Sequence, residues 1–249
     1  MSKLQYTLLA SMLLALLHSC TSQGPSADQS FSLSGRLENG GDSLLILEEL
    51  TTSEVLLIDT MQLSYDGSFS FSLPIEDAGF YMLRAGNNKA ITLLVEPGEQ
   101  IRHGGDYQRL PSDYRVEGSV GSSLLKELND HLMYNFARVD TLVREYRARK
   151  YDEDFARLRE VLDQRYADIF SDQQQYVTRF ISDNPRSLAS VIALYQYFGN
   201  KLLLRESTHF AYFERLSDEL SEAYPMNKHV MDLKRRVFEY RRTREQRLL

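Results

Sequence analysis

YRVEGSVGSSLLKELNDHL, residues 114–132, is where the hydrophobic pattern of this chain changes period. Before it, apolar and polar residues alternate, the pattern of a strand with one buried face. From Ser119 onward the apolar positions recur at steps of three and four: Leu124, Leu128, Leu132, Phe136, Val139, Val143 and Tyr146. Those positions fall on one face of a long helix. Gly118-Ser119 is suited to open that helix. The chain therefore divides here into a β-rich part, 30–117, and a helical part, 118–249. The expected class is α+β: an N-terminal antiparallel β-sandwich or barrel followed by a C-terminal helical bundle.

Working upstream, FSLSGRL (31–37) alternates, and SLLILEEL (43–50) follows the turn residues Asn39-Gly40-Gly41-Asp42. EVLLIDTMQL (54–63) comes next, then Tyr65-Asp66-Gly67, then SFSFSL (68–73), which ends at Pro74. FYMLRAG (80–86) and KAITLLVE (89–96) flank Asn87-Asn88, and Pro97-Gly98 precedes EQIRH. Short runs of period two, punctuated by Gly, Asn and Pro, predict hairpins in a sandwich or barrel.

Working downstream, ARKYDED breaks the first helical stripe. Phe155, Leu158, Leu162, Tyr166, Ile169, Tyr176 and Phe180 begin a second one, and the two predict an antiparallel helix hairpin. Asn184-Pro185 reads as an N-cap followed by proline at the first helical position, with the helix SLASVIALYQYF (187–198) ending at Gly199. Further helices are expected over 207–223 and 227–247, separated by Pro225.

The front of the chain has the three parts of a bacterial export signal: Lys3, an apolar run from Leu8 to Leu17, and a polar stretch beginning at Thr21. The apolar run is roughly half the ~20 residues that a membrane-spanning helix needs. His18 and Ser19 separate it from Cys20, the one cysteine of the chain. Leu17 and Ser19 before Cys20 resemble a lipobox, with His18 at a place usually held by a small residue. The expectation is a signal peptide over 1–19, lipidation of Cys20, and a flexible tether over 20–29. This places the protein in the cell envelope, lipid-anchored in the inner or outer membrane and facing the periplasm.

The formal charge is −6, and loss of residues 1–19 removes Lys3 and no acid, leaving −7. That argues against nucleic-acid partners. An acylated Cys20 leaves no thiol for a disulfide, a CxxC redox pair or a thiolate zinc site. Stability then rests on an apolar core, to which 15 Tyr and 12 Phe contribute bulk.

His103-Gly104-Gly105-Asp106 is similar to the glycine-rich oxyanion loop of esterases, but no GxSxG accompanies it, and it reads as a turn with a surface histidine. His131, His209 and His229 lack ligand spacing. Asp152-Glu153-Asp154 lacks the EF-hand pattern and reads as a solvated helix start. Asp42-Ser43-Leu44, Asp59-Thr60-Met61 and Asp140-Thr141-Leu142 match a bacterial O-glycosylation sequon at Ser43, Thr60 and Thr141. The segment from Lys234 to Leu249 carries seven Lys or Arg against two Glu, and reads as an exposed last helix, with anionic lipid or an acidic partner as the alternative. Tyr195-Gln196-Tyr197-Phe198, with Phe210, Tyr212 and Phe213, reads as core, with a ligand groove as the alternative. No catalytic residue, metal or cofactor is expected from these patterns.

FSLSGRL, LLIDTMQLSYDGSFSF (56–71), FYMLRAGNNKAITLLVEPGEQI (80–101), YRVEGSVGSSLLKELN (114–129) and NPRSLASVIALY (184–195) occur in that order. Together they resemble the β-rich N-terminal domain of unknown function, and the helical segment after it, of Bacteroidetes-type envelope thiol-disulfide oxidoreductases. The resemblance spans roughly 30–245. It implies a lipoprotein and a helical region followed by a thioredoxin-like module, whose CxxC pair carries the redox chemistry. No CxxC occurs here, so no catalytic residue is carried over. The expected function is a non-catalytic envelope lipoprotein, an accessory or binding module. The alternative is the accessory half, or a truncated remnant, of a thiol-disulfide oxidoreductase acting with a thioredoxin-like envelope partner.

Overall fold

The computed structural model describes residues 30–86 and 89–246. The export segment, Cys20, the tether, Asn87-Asn88 and residues 247–249 of the basic tail lie outside the described residues. Eight strands form the N-terminal part: β1 (Ser30–Glu38), β2 (Leu44–Leu50), β3 (Val55–Gln62), β4 (Ser68–Pro74), β5 (Gly79–Ala85), β6 (Lys89–Val95), β7 (Gln100–Asp106) and β8 (Tyr114–Glu117). They make a sandwich of two sheets, ordered β4-β1-β7-β8 and β3-β2-β5-β6. Alternation decides what lies between them: Phe31, Leu33, Leu45, Leu47, Phe69, Phe71, Leu83 and Leu93 all point into one core.

One pairing departs from the antiparallel expectation. β1 and β7 run parallel, from Ser32 opposite Gln100 to Glu38 opposite Asp106. Turn residues reveal hairpins between sequence neighbours, whereas this pairing joins strands separated by the whole second sheet.

Five helices follow: α1 (Val120–Arg149), α2 (Phe155–Asp183), α3 (Ala189–Leu194), α4 (Glu206–Ala223) and α5 (Lys228–Gln246). α1 and α2 form the expected hairpin, closed near its tip by Tyr146 against Phe155 with ring centroids 5.2 Å apart. Ile169, Val177 and Phe180 of α2 lie in a second core with Leu188, Leu194, Phe213, Leu216 and Leu233, and Leu158 and Leu162 nearer the hairpin tip are also buried. Among the described residues, no helix is long and apolar enough to cross a membrane.

The two cores share strands. Tyr81, Leu83, Ile91 and Leu93 face the sandwich interior, while Phe80 and Leu94 on the other side belong to the helical core. That two-sided burial explains the unbroken apolar run Leu93-Leu94-Val95. The β3 side of the same outer face stays open, with Leu44, Val55 and Leu57 each more than half exposed.

α1 docks at the edge of β6. Gly118, at φ +86°, turns the chain where an added Cβ would lie 2.1 Å from the Gln100 carbonyl oxygen. Ser119 then caps α1 by accepting from the Ser122 amide at 3.1 Å, and donates to the Leu94 carbonyl at 3.0 Å. The Ser122 hydroxyl accepts from the Leu94 amide at 3.1 Å and donates to the Leu94 carbonyl at 2.7 Å. Gly121 lets the two backbones approach, since a Cβ there would sit 2.5 Å from a Leu94 methyl. Two further contacts hold the seam. Asn227 donates to Asp77 and to the Ala78 carbonyl, at 2.9 and 2.7 Å, while its oxygen accepts from the His229 amide and so caps α5. The Tyr224 hydroxyl donates to Glu96 at 3.0 Å.

The segment 184–203 differs from the sequence expectation. Asn184 ends α2: its backbone and side-chain amides both donate to the Phe180 carbonyl. The next helix is the short α3 of six residues, preceded by Leu188, which gives it no side-chain cap. Tyr197–Phe198 then pairs as β9 with β10 (Lys201–Leu202) about Gly199. Phe198 is buried against Phe136, centroids 5.1 Å apart, while Tyr197 points out. The Phe198 ring fills the space between α1 and α2, against Phe136, Tyr166 and Phe170.

Ser122→Ala should lower the unfolding free energy by about 1–3 kcal/mol, because it leaves the buried Leu94 amide without an acceptor. Ser123→Ala, whose hydroxyl donates only to the Ser119 carbonyl within the same helix, should change it by less than about 1 kcal/mol. Urea titration of both variants checks this.

Candidate functional site

A cavity of about 420 Å³ lies in the seam between the second sheet and the helices. Its sheet side is Leu50, Thr51, Phe80, Ala90 and Thr92, and α1 contributes Leu125, Leu128, Asn129 and Leu132. Val191 and Ile192 of α3, then Tyr195, Gln196 and Tyr197, close the far side, and His229 at the start of α5 stands at one end. The walls are mainly apolar with a few polar groups, the usual composition of a small-ligand site.

Those polar groups are in unequal states. The Tyr195 hydroxyl is buried and has no hydrogen-bond partner. Burial pushes its pKa up to about 12, so it stays protonated and can donate. The Tyr195 ring is held edge-on by Phe213, centroids 5.8 Å apart, and lies under the Arg236 guanidinium at 5.7 Å. His229 meets Phe80 edge to face at 4.8 Å, and burial lowers its pKa, against the raising influence of Glu49, Asp232 and Asp77.

Gln196 ties the cavity to a polar network inside the α1–α2 hairpin. Its side-chain oxygen accepts from Gln173 at 2.7 Å. The Gln173 oxygen in turn accepts from Asn135 at 2.9 Å and lies 2.9 Å from His131 Nδ1. Asn135 also donates to Asp172, and Arg138 bridges Asn135 and Asp172 at 2.8 and 3.2 Å. Gln173 and Asn135 are fully buried. A satisfied network of this kind fixes the register of the two helices and the position of Gln196.

The residues singled out in the sequence meet varied fates. Tyr195, Gln196 and Tyr197 do line a cavity, whereas Phe198, Phe210 and Phe213 are buried in the helical core and Tyr212 packs against it. The three helical histidines stay apart. His131 stacks on Tyr176 at 3.7 Å, His209 accepts from the Arg205 amide where α4 begins, and His229 lies in the seam. Among the described residues, no group of three or more His, Cys, Asp or Glu could hold a metal ion. Asp152 and Asp154 precede α2 and bind Arg149 at 2.8 and 3.0 Å. Thr60 and Thr141 are exposed and Ser43 is half-buried. The basic tail is part of α5, with Arg235 and Arg236 on Asp232 and Arg241 on Glu214.

His103 corrects the turn reading. It lies within β7 and is 97% buried by its 3% relative exposure, facing the sandwich core rather than solvent. Gly104 and Gly105 continue the strand opposite Arg36 and Leu37. Its ring lies between Phe69 and Tyr114, and neither nitrogen has a partner. The glycine pair suggested a turn; instead it leaves the strand narrow, since a Cβ on Gly105 would lie 2.5 Å from the Asp113 carbonyl oxygen. His229 and Val191 carried no sequence signal as site residues, because their neighbours in space are far away along the chain.

No protein-family model matches the chain, and no curated protein matches it. Among solved structures, the 5-hydroxyisourate hydrolase of Klebsiella pneumoniae is similar over 36% of this chain and 93% of its own, with 15% identity and a TM-score of 0.23. A likeness this loose carries nothing beyond itself.

Two predictions follow from these burials. Burial lowers the His103 pKa from 6.5 to about 4. The unfolded chain therefore binds the extra proton between those values, so the contribution to stability is present above pH 6.5 and is lost as the pH falls toward 4. At pH 5 the loss is about 2 kcal/mol, and His103→Phe should show that much less change between pH 7.5 and pH 5 in urea titrations. Tyr195→Phe removes a hydroxyl that has no partner, so it should leave the melting temperature of the free protein unchanged or raised, by up to about 1 kcal/mol of stability.

Proposed function

We propose that this protein is a non-catalytic envelope lipoprotein, tethered through Cys20, whose sandwich and helices together hold a ligand in the seam cavity. Tyr195 carries the reading: its side chain lines a largely apolar cavity at the junction of two layers, and its hydroxyl is buried without a partner, which supports binding of a ligand that brings an acceptor once the ring shifts. The anchor rests on the lipobox-like residues ahead of Cys20. Such a molecule presents its cavity near a membrane surface without altering what it binds.

A second reading, an accessory partner to a thioredoxin-like envelope protein, is favoured by the open apolar face at Leu44, Val55 and Leu57. Co-purification of a CxxC protein with the native chain, lost in Leu57→Glu, would select it over the first.

The test of the first reading uses the soluble chain from residue 21 and a panel of small neutral phenols and alcohols. At least one compound should raise the melting temperature by a few degrees. Val191→Trp, which fills the cavity, should abolish that shift. Shifts that persist in the filled variant, or no shift with any compound, would sink the cavity reading. The anchor is checked separately, by the intact mass of protein recovered from membranes: acyl chains on a chain beginning at Cys20 are expected.

A further inference from the structure

The seam cavity has neighbours. Three further hollows follow one face of α5, whose residues His229, Asp232, Leu233, Arg236 and Tyr240 recur at steps of one, three and four. The first, about 670 Å³, lies between α5 and the β4–β5 turn and carries Glu49, Glu76 and Asp77 against Lys228. The second, about 200 Å³, lies between Asp232 and Leu233 on one side and Thr52 and Val191 on the other. The third, about 410 Å³, is lined by Tyr195, Tyr197, Arg205, Glu206, Arg236 and Tyr240. Successive hollows share walls. His229 borders the first, the second and the seam cavity, and Tyr195 borders the second, the third and the seam cavity.

From Asn227 to Tyr240 this row covers about 20 Å at 1.5 Å per helical residue. Extended chain advances about 3.3 Å per residue, so the row accommodates about six residues. The seam cavity branches from its middle, at the two shared residues. A row of hollows along one helix face with one mainly apolar side chamber suits a peptide backbone with one anchoring side chain. Tyr195, one of the two residues at the branch, has a buried hydroxyl without a hydrogen-bond partner, a donor that a backbone carbonyl would satisfy.

The ends differ in charge. Glu49 and Glu76 have no ion-pair partner among the described residues, and Lys228 is the one cation lining that hollow. At the other end Arg205 is offset by Glu206, and Arg236 is held by Asp232 at 2.7 Å. One end is therefore net acidic and the other balanced, which sets a direction for a charged occupant.

We propose that this groove binds an extended peptide segment of about six residues, with cationic groups at Glu49 and Glu76 and one apolar side chain in the seam cavity. This rests on the seam cavity being a binding site, and it adds the class of ligand.

The probe is a dye-labelled, amidated hexapeptide, Ala-Lys-Lys-Phe-Ala-Ser, followed by fluorescence polarisation with the soluble chain. Saturable binding is expected. Replacing both lysines by glutamate, or phenylalanine by serine, should weaken it at least about tenfold. Glu49→Gln combined with Glu76→Gln should weaken the lysine peptide at least about fivefold with the melting temperature unchanged. Equal binding of the lysine and glutamate peptides would overturn the proposal, and so would no peptide binding up to about 1 mM. The phenol panel separates the failures. If phenols bind and peptides do not, the peptide assignment falls and the cavity reading stands; if neither binds, both fall. Because the peptide changes are made on the unaltered protein, the outcome does not depend on any variant folding.

Discussion

The amide and carbonyl of one residue, Leu94, decide how the two halves of this molecule meet. β6 is the last strand of its sheet, and Leu94 presents both groups on the side away from β5. Unpaired and buried, they would destabilise the sheet by a few kcal/mol. Ser119 and Ser122 satisfy them with hydroxyls, and the same Ser119 hydroxyl caps the helix that follows. A strand edge and a helix start, each incomplete, complete one another. The α1–α2 hairpin is positioned from that junction, because α1 carries α2 and α2 carries the small hairpin at Phe198.

The cavity follows from the same constraint. A sheet twists and a helix is nearly straight, so the two separate with distance from their point of contact. Serines hold α1 to β6 on one side, and Asn227 and Tyr224 hold the beginning of α5 to the strand ends and turns on the other. Tyr195 and Gln196 reach into the space between. Gln196 is held by the buried network that also sets the α1–α2 register, so the wall of the cavity is coupled to packing well away from it.

Much of the fold was legible in local patterns and little of the site was. SFSFSL alternates because one face is buried, and Leu124 to Tyr146 repeat at three and four because one helix face is. Asn184-Pro185 misled because asparagine serves both ends of helices; here it closes α2, and the proline stops that helix from continuing. YQYF lies in a helical stripe by spacing, yet Tyr197 and Phe198 separate to opposite sides of a tiny hairpin, an outcome set by the gap that Phe198 fills. His103 beside two glycines resembled a turn, and only the pairing with β1 shows it to be a strand residue inside the core. The site joins Thr51, Tyr195 and His229, residues brought together by the docking of layers, which no periodicity encodes.

The way β6 is finished also bears on how the molecule can be divided. A sandwich cut after Glu117 would keep all eight strands and its own apolar core, and so would look like a natural unit of expression. It would also carry Phe80 and Leu94 bare on its outer face, and a strand edge whose partners are two serines from the missing part. Bare apolar edges recruit other strands. The first turn of α1 completes the Leu94 edge, whereas Phe80 is covered only when His229 of α5 packs on it, so the whole helical part is needed to finish the outer face of the sandwich.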